Sequence, residues 1–190
     1  MKKSINLIYF ILLIVSSCHT ATYIHDLEST PYGIDYREGK WLLNDPNVPY
    51  SIQRKQTKIA YKFFYNQLGS HLVVADSLPY ALPHLPINPD TLRLENFKKI
   101  THFDYVINIE SKSIEDDIGS FKIGKPYGKS KNRAYTILQV YDLNTLETIY
   151  SRKVLGQVTL DEKDNNDLTI VKSTNGLMVS ALKKILRKIK

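Results

Sequence analysis

The sequence predicts an α+β fold, in which a small and mainly antiparallel (mixed) sheet carries two or three helices on one of its faces. Three observations predict this fold. A helical apolar period runs through residues 51–68, two strand-like runs joined by a polar turn occupy residues 134–159, and a second helical period ends the chain. Helices on one face of a small sheet bury the apolar side of each element. A single globular domain is predicted over residues 41–190.

The domain is predicted to begin near Trp41, the only tryptophan and the expected anchor of the core. In the helix that follows, apolar residues recur three and four positions apart and form one stripe. They are Ile52, Ile59, Ala60, Phe63, Phe64 and Leu68. Ser51 is expected to cap the start of this helix and Gly69 its end. Residues 72–75 then predict a short buried strand.

Four prolines between residues 79 and 89 exclude both a helix interior and a central strand, so an irregular loop is predicted there. A short helix is expected between residues 92 and 103, capped by Asp90 or Thr91. Apolar and polar residues alternate at 105–110, which predicts a half-buried strand.

The last third of the chain predicts a hairpin and a closing helix. Residues 134–143 and 147–159 are rich in Tyr, Thr, Ile and Val, and a polar turn at 143–146 joins them. One face of the closing helix is apolar and comprises Leu177, Met178, Ala181, Leu182, Ile185 and Ile189. Lysine and arginine occupy its other side and its end, where cations complement the helix dipole.

The start of the chain has the organisation of an export signal. Lys2 and Lys3 precede an apolar run at residues 7–15, and two serines then lead to Cys18. The apolar run is much shorter than the ~20 residues that a membrane-spanning helix requires. Residues 1–17 are therefore predicted to be a signal peptide, cleaved between Ser17 and Cys18.

The segment Val15-Ser16-Ser17-Cys18 resembles the lipobox of bacterial lipoproteins. This resemblance implies that the Cys18 thiol receives a diacylglycerol and that the new amino terminus is acylated. Several acyl chains, each contributing ~0.8 kcal/mol per buried methylene, make a stable membrane anchor. Cys18 is the only cysteine, so lipidation also leaves no free thiol in an oxidising compartment. No cofactor is predicted beyond this lipid, and an ordinary secretory signal with an incidental cysteine is the alternative.

Residues 18–40 are predicted to form the lipidated amino terminus and a tether. The segment is polar, Pro31, Gly33 and Gly39 interrupt it, and no apolar period is sustained. The alternative is a short helix or strand that docks on the domain. The residues available for such docking are Tyr23, Ile24, Leu27, Tyr32 and Tyr36.

The formal net charge of +7 falls to about +5 once Lys2 and Lys3 leave with the signal peptide. This mildly basic balance suits a position near anionic phospholipid or lipopolysaccharide. The charge is too diffuse to indicate a nucleic-acid partner, and export argues further against one.

Three stretches carry a wider resemblance: residues 71–76, residues 104–109, and the hairpin of residues 138–145 and 149–151. They are similar to the periplasmic domains of the curli secretion lipoprotein CsgG, the penicillin-binding-protein activator LpoB and the amino-terminal domain of TolB. Those domains have an apolar first strand, whereas here only three apolar residues, 41–43, precede Asn44, Asp45 and Pro46. The proline loop is also unusually long. The resemblance implies an assembly or scaffolding role at the envelope without shared catalytic residues.

The sequence contains no evident catalytic or metal-binding constellation. Its five histidines lack metal-ligand spacing, and its cysteine is assigned to lipid. Residues 119–126 have the glycine and lysine spacing of a phosphate-binding loop, but Pro126 occupies the position of the required hydroxyl. Neither a metal site nor an enzyme activity is predicted. Clustering of Asp76, His84 and His102 around one cleft would be the sign of an unfamiliar enzyme.

The tyrosines predict a binding surface. Tyr135 and Tyr141 fall on the same side of one predicted strand, and Tyr150 lies on its hairpin partner. Tyrosine is enriched at interfaces because it buries a ring while its hydroxyl stays hydrated. If helices cover only one face of the sheet, the three rings form a partner-binding patch on the other. The alternative is that they pack beneath the loops or the tether.

These features predict a membrane-anchored periplasmic lipoprotein with a non-enzymatic scaffolding or assembly role in a cell-envelope complex. A carrier of a small apolar or lipid ligand, with the proline loop as its lid, is the alternative. Lipoproteins that stay at the inner membrane often have aspartate after the lipidated cysteine, whereas this chain has His19. A periplasm-facing position on the outer membrane is therefore favoured, with the inner membrane and the cell surface as alternatives.

Overall fold

The structure is a computed structural model, and it describes residues 20–26, 30, 33–118, 130–160 and 171–189. These residues form six strands and three α-helices. The strands are β1 (Thr22–His25), β2 (Trp41–Leu43), β3 (Leu72–Val74), β4 (Tyr105–Asp116), β5 (Ser130–Asp142) and β6 (Glu147–Leu160). The helices are α1 (Tyr50–Leu68), α2 (Thr91–Thr101) and α3 (Thr174–Leu186).

All six strands belong to one sheet, in the order β1-β6-β5-β4-β2-β3. The pairs β1–β6, β6–β5 and β5–β4 are antiparallel, whereas β2 pairs in parallel with both β3 and β4. The predicted hairpin is the β5–β6 pair. The predicted α+β fold with a mixed, mainly antiparallel sheet is confirmed.

Helices α1 and α3 pack side by side on one face of the sheet. They begin together, where Asn175 Nδ2 donates to Ser51 Oγ over 3.1 Å. Their apolar stripes meet the side chains of alternate sheet positions, so that Phe64, Ile107 and Leu182 share one fully buried core. Burying such apolar stripes supplies most of the stability of helices in proteins. These are the two helices that the sequence predicts on one face.

Trp41 is fully buried in this core, as predicted. Its ring stacks on Tyr105 with the ring centroids 4.3 Å apart, and its Nε1 donates to the carbonyl oxygen of Arg37 over 3.1 Å. The three residues of β2 are all buried because the strand lies between β3 and β4 with packing on both faces.

Helix α2 and the proline loop cover part of the opposite face, at the end of the sheet formed by β2, β4 and β5. Leu85 of the loop is 3% exposed and packs with Phe97 of α2 against this end. Asn108 Nδ2 donates to the carbonyl oxygens of Leu85 and Pro86, over 2.8 and 3.2 Å. The predicted cap of α2 is confirmed, since Asp90 Oδ1 accepts from the backbone N–H of Arg93 over 2.8 Å.

The described part of residues 18–40 lies on the domain. Residues 22–25 form the edge strand β1, which pairs with β6, and Ile34 is buried in the core beneath the helices. The tether prediction is therefore corrected for these residues in favour of its alternative, a docked strand. The physical reason is that Gly156 of β6 leaves room for the ring of Tyr23, which no local sequence pattern reveals.

Two sequence predictions fall outside the described residues. They are the signal peptide with its lipobox at Cys18, and the phosphate-loop-like segment 119–126. Within the described part of the chain, no helix is long and apolar enough to cross a membrane.

Candidate binding site on the open sheet face

One part of the sheet is covered by neither the helices nor the proline loop. It comprises the residues of β1, β6, β5 and β4 whose side chains point away from α1 and α3, and we call it the open face. Its members include Ile24, Lys153, Leu155, Tyr135, Ile137, Glu110, Lys112 and Ile114. Strand pairing aligns Ile24, Leu155, Tyr135 and Lys112 in a single row across four strands.

A carboxylate organises the centre of the open face. Glu110 is 8% exposed and accepts a hydrogen bond from Tyr135 Oη to its Oε1 over 2.9 Å. Its Oε2 lies 2.8 Å from Lys112 Nζ and accepts from Asn47 Nδ2 over 3.0 Å. These contacts engage both oxygens of the Glu110 carboxylate, and the bond from Tyr135 Oη fixes the hydroxyl end of the Tyr135 ring.

Two cations flank the ring of Tyr135. Lys153 Nζ lies 4.9 Å from the ring centroid, and Lys112 approaches the hydroxyl end through Glu110. Burial, followed by the hydrogen bond to Glu110, raises the pKa of the Tyr135 phenol, and that same carboxylate raises the pKa of Lys112. Tyr135 therefore stays protonated and Lys112 charged at neutral pH, so the open face presents a phenol between two cations.

An apolar cleft of about 310 Å³ adjoins this cluster. Ile24 and Ile114 are 52% and 48% exposed, and they line the cleft together with Leu155, Lys153, His25 and Asp26. Ile114 lies where the β4–β5 register shifts between Ser113 and Glu115, at a bulge. Ile114 is two residues from Lys112 and four from Glu110, so the alternation along β4 places it on the same face as these two residues.

The predicted tyrosine patch is corrected by the structure. Tyr135 lies on the open face, but Tyr141 and Tyr150 are fully buried. Tyr141 does share the face of Tyr135, yet the proline loop covers it, and the backbone N–H of Asn88 donates to its hydroxyl over 3.2 Å. A shift of register places Tyr150 opposite Val140 and Tyr141 opposite Thr148, so Tyr150 points to the helix side instead.

Burial also decides the ionisation of these two tyrosines. It is the main cause that raises the pKa of both phenols, although Arg152 Nε donates to the Tyr150 hydroxyl over 2.9 Å and opposes the effect there. Both remain neutral and serve packing, the second of the two interpretations that the sequence allowed.

The residues that would mark an enzyme are not brought together. Asp76 lies with Asp45 in a polar pocket of about 360 Å³ at the ends of β2 and β3, whereas His84 lines a separate groove beside Phe97. His102 ends α2 in a left-handed conformation with φ 57°. Among the described residues, no group of three or more His, Cys, Asp or Glu is placed to hold a metal ion.

The proline loop packs against the sheet, and its residues line the polar pocket of about 360 Å³ and the groove beside Phe97. Leu85 and the hydroxyl of Tyr141 occupy the space beneath it, and Asn108 ties it to β4. The 310 Å³ cleft lies elsewhere, over β1 and β6. The apolar cleft is therefore separate from the two pockets that the proline loop lines.

No protein-family model matches the chain, and its sequence matches no curated protein. Among solved structures it is similar to the PelC dodecamer from Paraburkholderia phytofirmans, with 10% identity, 88% of this chain and 95% of that chain covered, and a TM-score of 0.45. It is also similar to lipoprotein GNA1162 from Neisseria meningitidis, with 14% identity, 79% of this chain and 99% of that chain covered, and a TM-score of 0.40. A third similar structure is the LpoB C-terminal domain from Escherichia coli, with 12% identity, 67% of this chain and 87% of that chain covered, and a TM-score of 0.33.

One lipoprotein, GNA1162, and the LpoB C-terminal domain are thus among the solved structures to which this chain is similar. At these identities and TM-scores the similarity assigns neither a family nor a function.

Sequence reasoning missed Glu110, Ile24 and Ile114 as members of the site. The sequence could have indicated Glu110, because a carboxylate within an apolar strand needs a polar partner when it is buried. Ile24 belonged to a segment predicted as a tether, and Ile114 lies beyond residues 105–110, where the strand was predicted to end.

Proposed function

We propose that this protein is a membrane-anchored periplasmic lipoprotein with a non-enzymatic role in a cell-envelope complex, and that the open face binds its protein partner. Cys18 supplies the anchor, and the signal segment before it directs export. The outer membrane, with the domain facing the periplasm, is the proposed location because His19 follows the lipidated cysteine.

The observation that carries this proposal is the composition of the open face. Exposed Ile24 and Ile114 line the apolar cleft together with Lys153, whose Nζ lies 4.9 Å from the centroid of the Tyr135 ring that Glu110 holds in place. A rigid aromatic ring with adjacent apolar surface and a polar border is the typical organisation of a protein-binding hot spot. Ordering such a ring in advance reduces the entropy that binding has to overcome.

Site-specific photocrosslinking in cells tests the proposal. A photoreactive residue at Ile114 is expected to capture one discrete envelope protein. The same residue at Leu92, which is 64% exposed on α2 but lies outside the open face, is the matched control. Tyr135→Ala is expected to abolish the Ile114 product. Equal capture from both positions, or capture that survives Tyr135→Ala, contradicts the proposed interface.

The second candidate function is carriage of a small apolar or lipid ligand in the 310 Å³ cleft. The exposed isoleucines of the cleft favour it, with Lys153 at the border to pair with an anionic head group. Native mass spectrometry of the purified protein tests it. A bound lipid that disappears in Ile24→Asp supports carriage, and an unliganded wild-type protein rules it out.

A further inference from the structure

The outward sides of α1 and α3 carry several exposed cations. Neither helix contains an aspartate or a glutamate. The cations on the outward sides and ends of these helices form what we call the basic layer. They are Arg54, Lys55, Lys58, Lys62, Lys172, Lys183, Lys184, Arg187 and Lys188, of which all but the half-buried Lys184 are exposed.

The basic layer accounts for the positive charge of the whole chain. The sequence has 26 Lys and Arg against 19 Asp and Glu. Without the nine cations of the layer, 17 would remain against those 19 acidic residues. The helix side of the described domain thus holds nine of the 26 Lys and Arg residues of the chain.

Tyrosines are interspersed with these cations. Tyr50, Tyr61 and Tyr65 of α1 are 92%, 38% and 47% exposed, and the rings of the last two lie 5.2 Å apart. Exposed tyrosine among lysine and arginine is typical of surfaces that lie at a membrane interface, where the ring sits at the level of the lipid head groups.

Strand β1 places the predicted lipid beside the basic layer. The Tyr23 ring lies between two of its cations, with Lys172 Nζ 5.6 Å and Lys184 Nζ 4.7 Å from the ring centroid. Cys18 precedes the first residue of β1, Thr22, by four residues, and four extended residues span at most about 14 Å. An acylated Cys18 therefore enters the bilayer next to these cations and cannot hold the domain far from it.

We infer that the basic layer lies on the anionic phospholipid surface into which the Cys18 lipid inserts. This inference rests on the proposed lipoprotein function and specifies the orientation of the domain. Cations attract an anionic bilayer strongly only within about one Debye length, ~8 Å at physiological salt, and a link of at most about 14 Å from Cys18 allows the layer to come within that range. The open face, on the other side of the sheet, is then directed away from the membrane and towards a periplasmic partner.

Lysine labelling of the mature lipoprotein in vesicles tests this orientation. In vesicles that contain phosphatidylglycerol, Lys58, Lys62 and Lys183 are expected to be protected from an amine-reactive reagent, as read by mass spectrometry. In vesicles of phosphatidylcholine alone they are expected to react freely. Lys99, on α2, is expected to react equally in both. At about 1 M salt, where the Debye length is ~3 Å, the protection should disappear.

Two double variants with the same change in charge distinguish the effect of the basic layer from the effect of the net charge of the domain. In Lys183→Glu/Arg187→Glu, the protection of Lys58 is expected to fall more than tenfold, because each cation near an anionic surface changes the balance roughly fivefold. Arg93→Glu/Lys99→Glu makes the same charge change on α2 and should leave Lys58 protected. Circular dichroism confirms that both variants are folded.

Three outcomes would overturn the inference. They are equal labelling of Lys58 in the two kinds of vesicle, protection that persists at high salt, and equal effects of the two variants. Failure of the Ile114 crosslink affects the proposed partner surface but not this orientation. A protein that floats with neither kind of vesicle lacks the anchor and refutes both the orientation and the lipoprotein proposal.

Discussion

Substitution of Gly156 tests how β1 is held on the domain. A Cβ atom at this position of β6 would lie 2.9 Å from Tyr23 Cε1 and 3.3 Å from Leu177 Cβ. Leu177 is fully buried in α3 and has no space to retreat. The ring of Tyr23 must therefore move in Gly156→Ala, which strains the pairing of β1 with β6.

The expected loss of stability combines two effects. Overpacking a filled site costs about 1–3 kcal/mol, whereas alanine in a strand recovers roughly 0.5–1 kcal/mol relative to glycine. The net free energy of unfolding should thus fall by about 1–2 kcal/mol. For a domain of this size, each kcal/mol corresponds to a change in Tm of about 2–4 °C, so Tm should fall by about 2–8 °C.

A double-mutant cycle followed by urea and thermal denaturation is the assay. In Tyr23→Ala the ring is absent, so adding Gly156→Ala is expected to cost little or to stabilise slightly. If Gly156→Ala costs the same with and without the Tyr23 ring, the reasoning is refuted, because the clash with that ring cannot then be the cause. An unchanged Tm in the single variant would refute it as well.

Three further predictions concern other parts of the fold. Burial and the carboxylate of Asp76 raise the pKa of Asp45. Ionised Asp45 therefore destabilises the fold once the pH rises through the pKa of the folded state. Asp45→Asn should raise the urea midpoint at pH 7 but not at pH 3. Asn108→Ala removes the donors to the Leu85 and Pro86 carbonyls; it should cost about 1–3 kcal/mol and accelerate proteolysis within the proline loop. Glu110→Ala should leave the fold intact by circular dichroism but lower the yield of the Ile114 crosslink severalfold. An unchanged yield would show that Glu110 does not contribute to partner binding.

The helices and the long strands follow from local physics and were predictable. The apolar stripes of α1 and α3 repeat with the helical period over several turns, and the cap at Asp90 needs only its own helix. Strand β3 is predictable for a similar reason, since a short apolar run after a helix stop is a local signal.

The candidate site was predictable only in part. Tyr135 was correctly assigned to the uncovered side of the sheet, because alternation along a strand is local. Tyr141 and Tyr150 were not, since the proline loop covers the first and the β5–β6 register turns the second to the helix side. Which loop covers a strand, and in which register two strands pair, depend on residues distant in the chain. The pattern along a single strand contains no information about those residues.

By itself, the sequence determined the kind of elements, their order, the core position of Trp41 and the prediction of a lipid at Cys18, because each depends on a short contiguous pattern. The tertiary structure alone decided that residues 22–25 join the sheet, that Glu110 meets Tyr135, and that the cations of two separate helices form one layer. These features depend on which surfaces meet when the chain closes on itself, and that choice is made by packing across the whole domain.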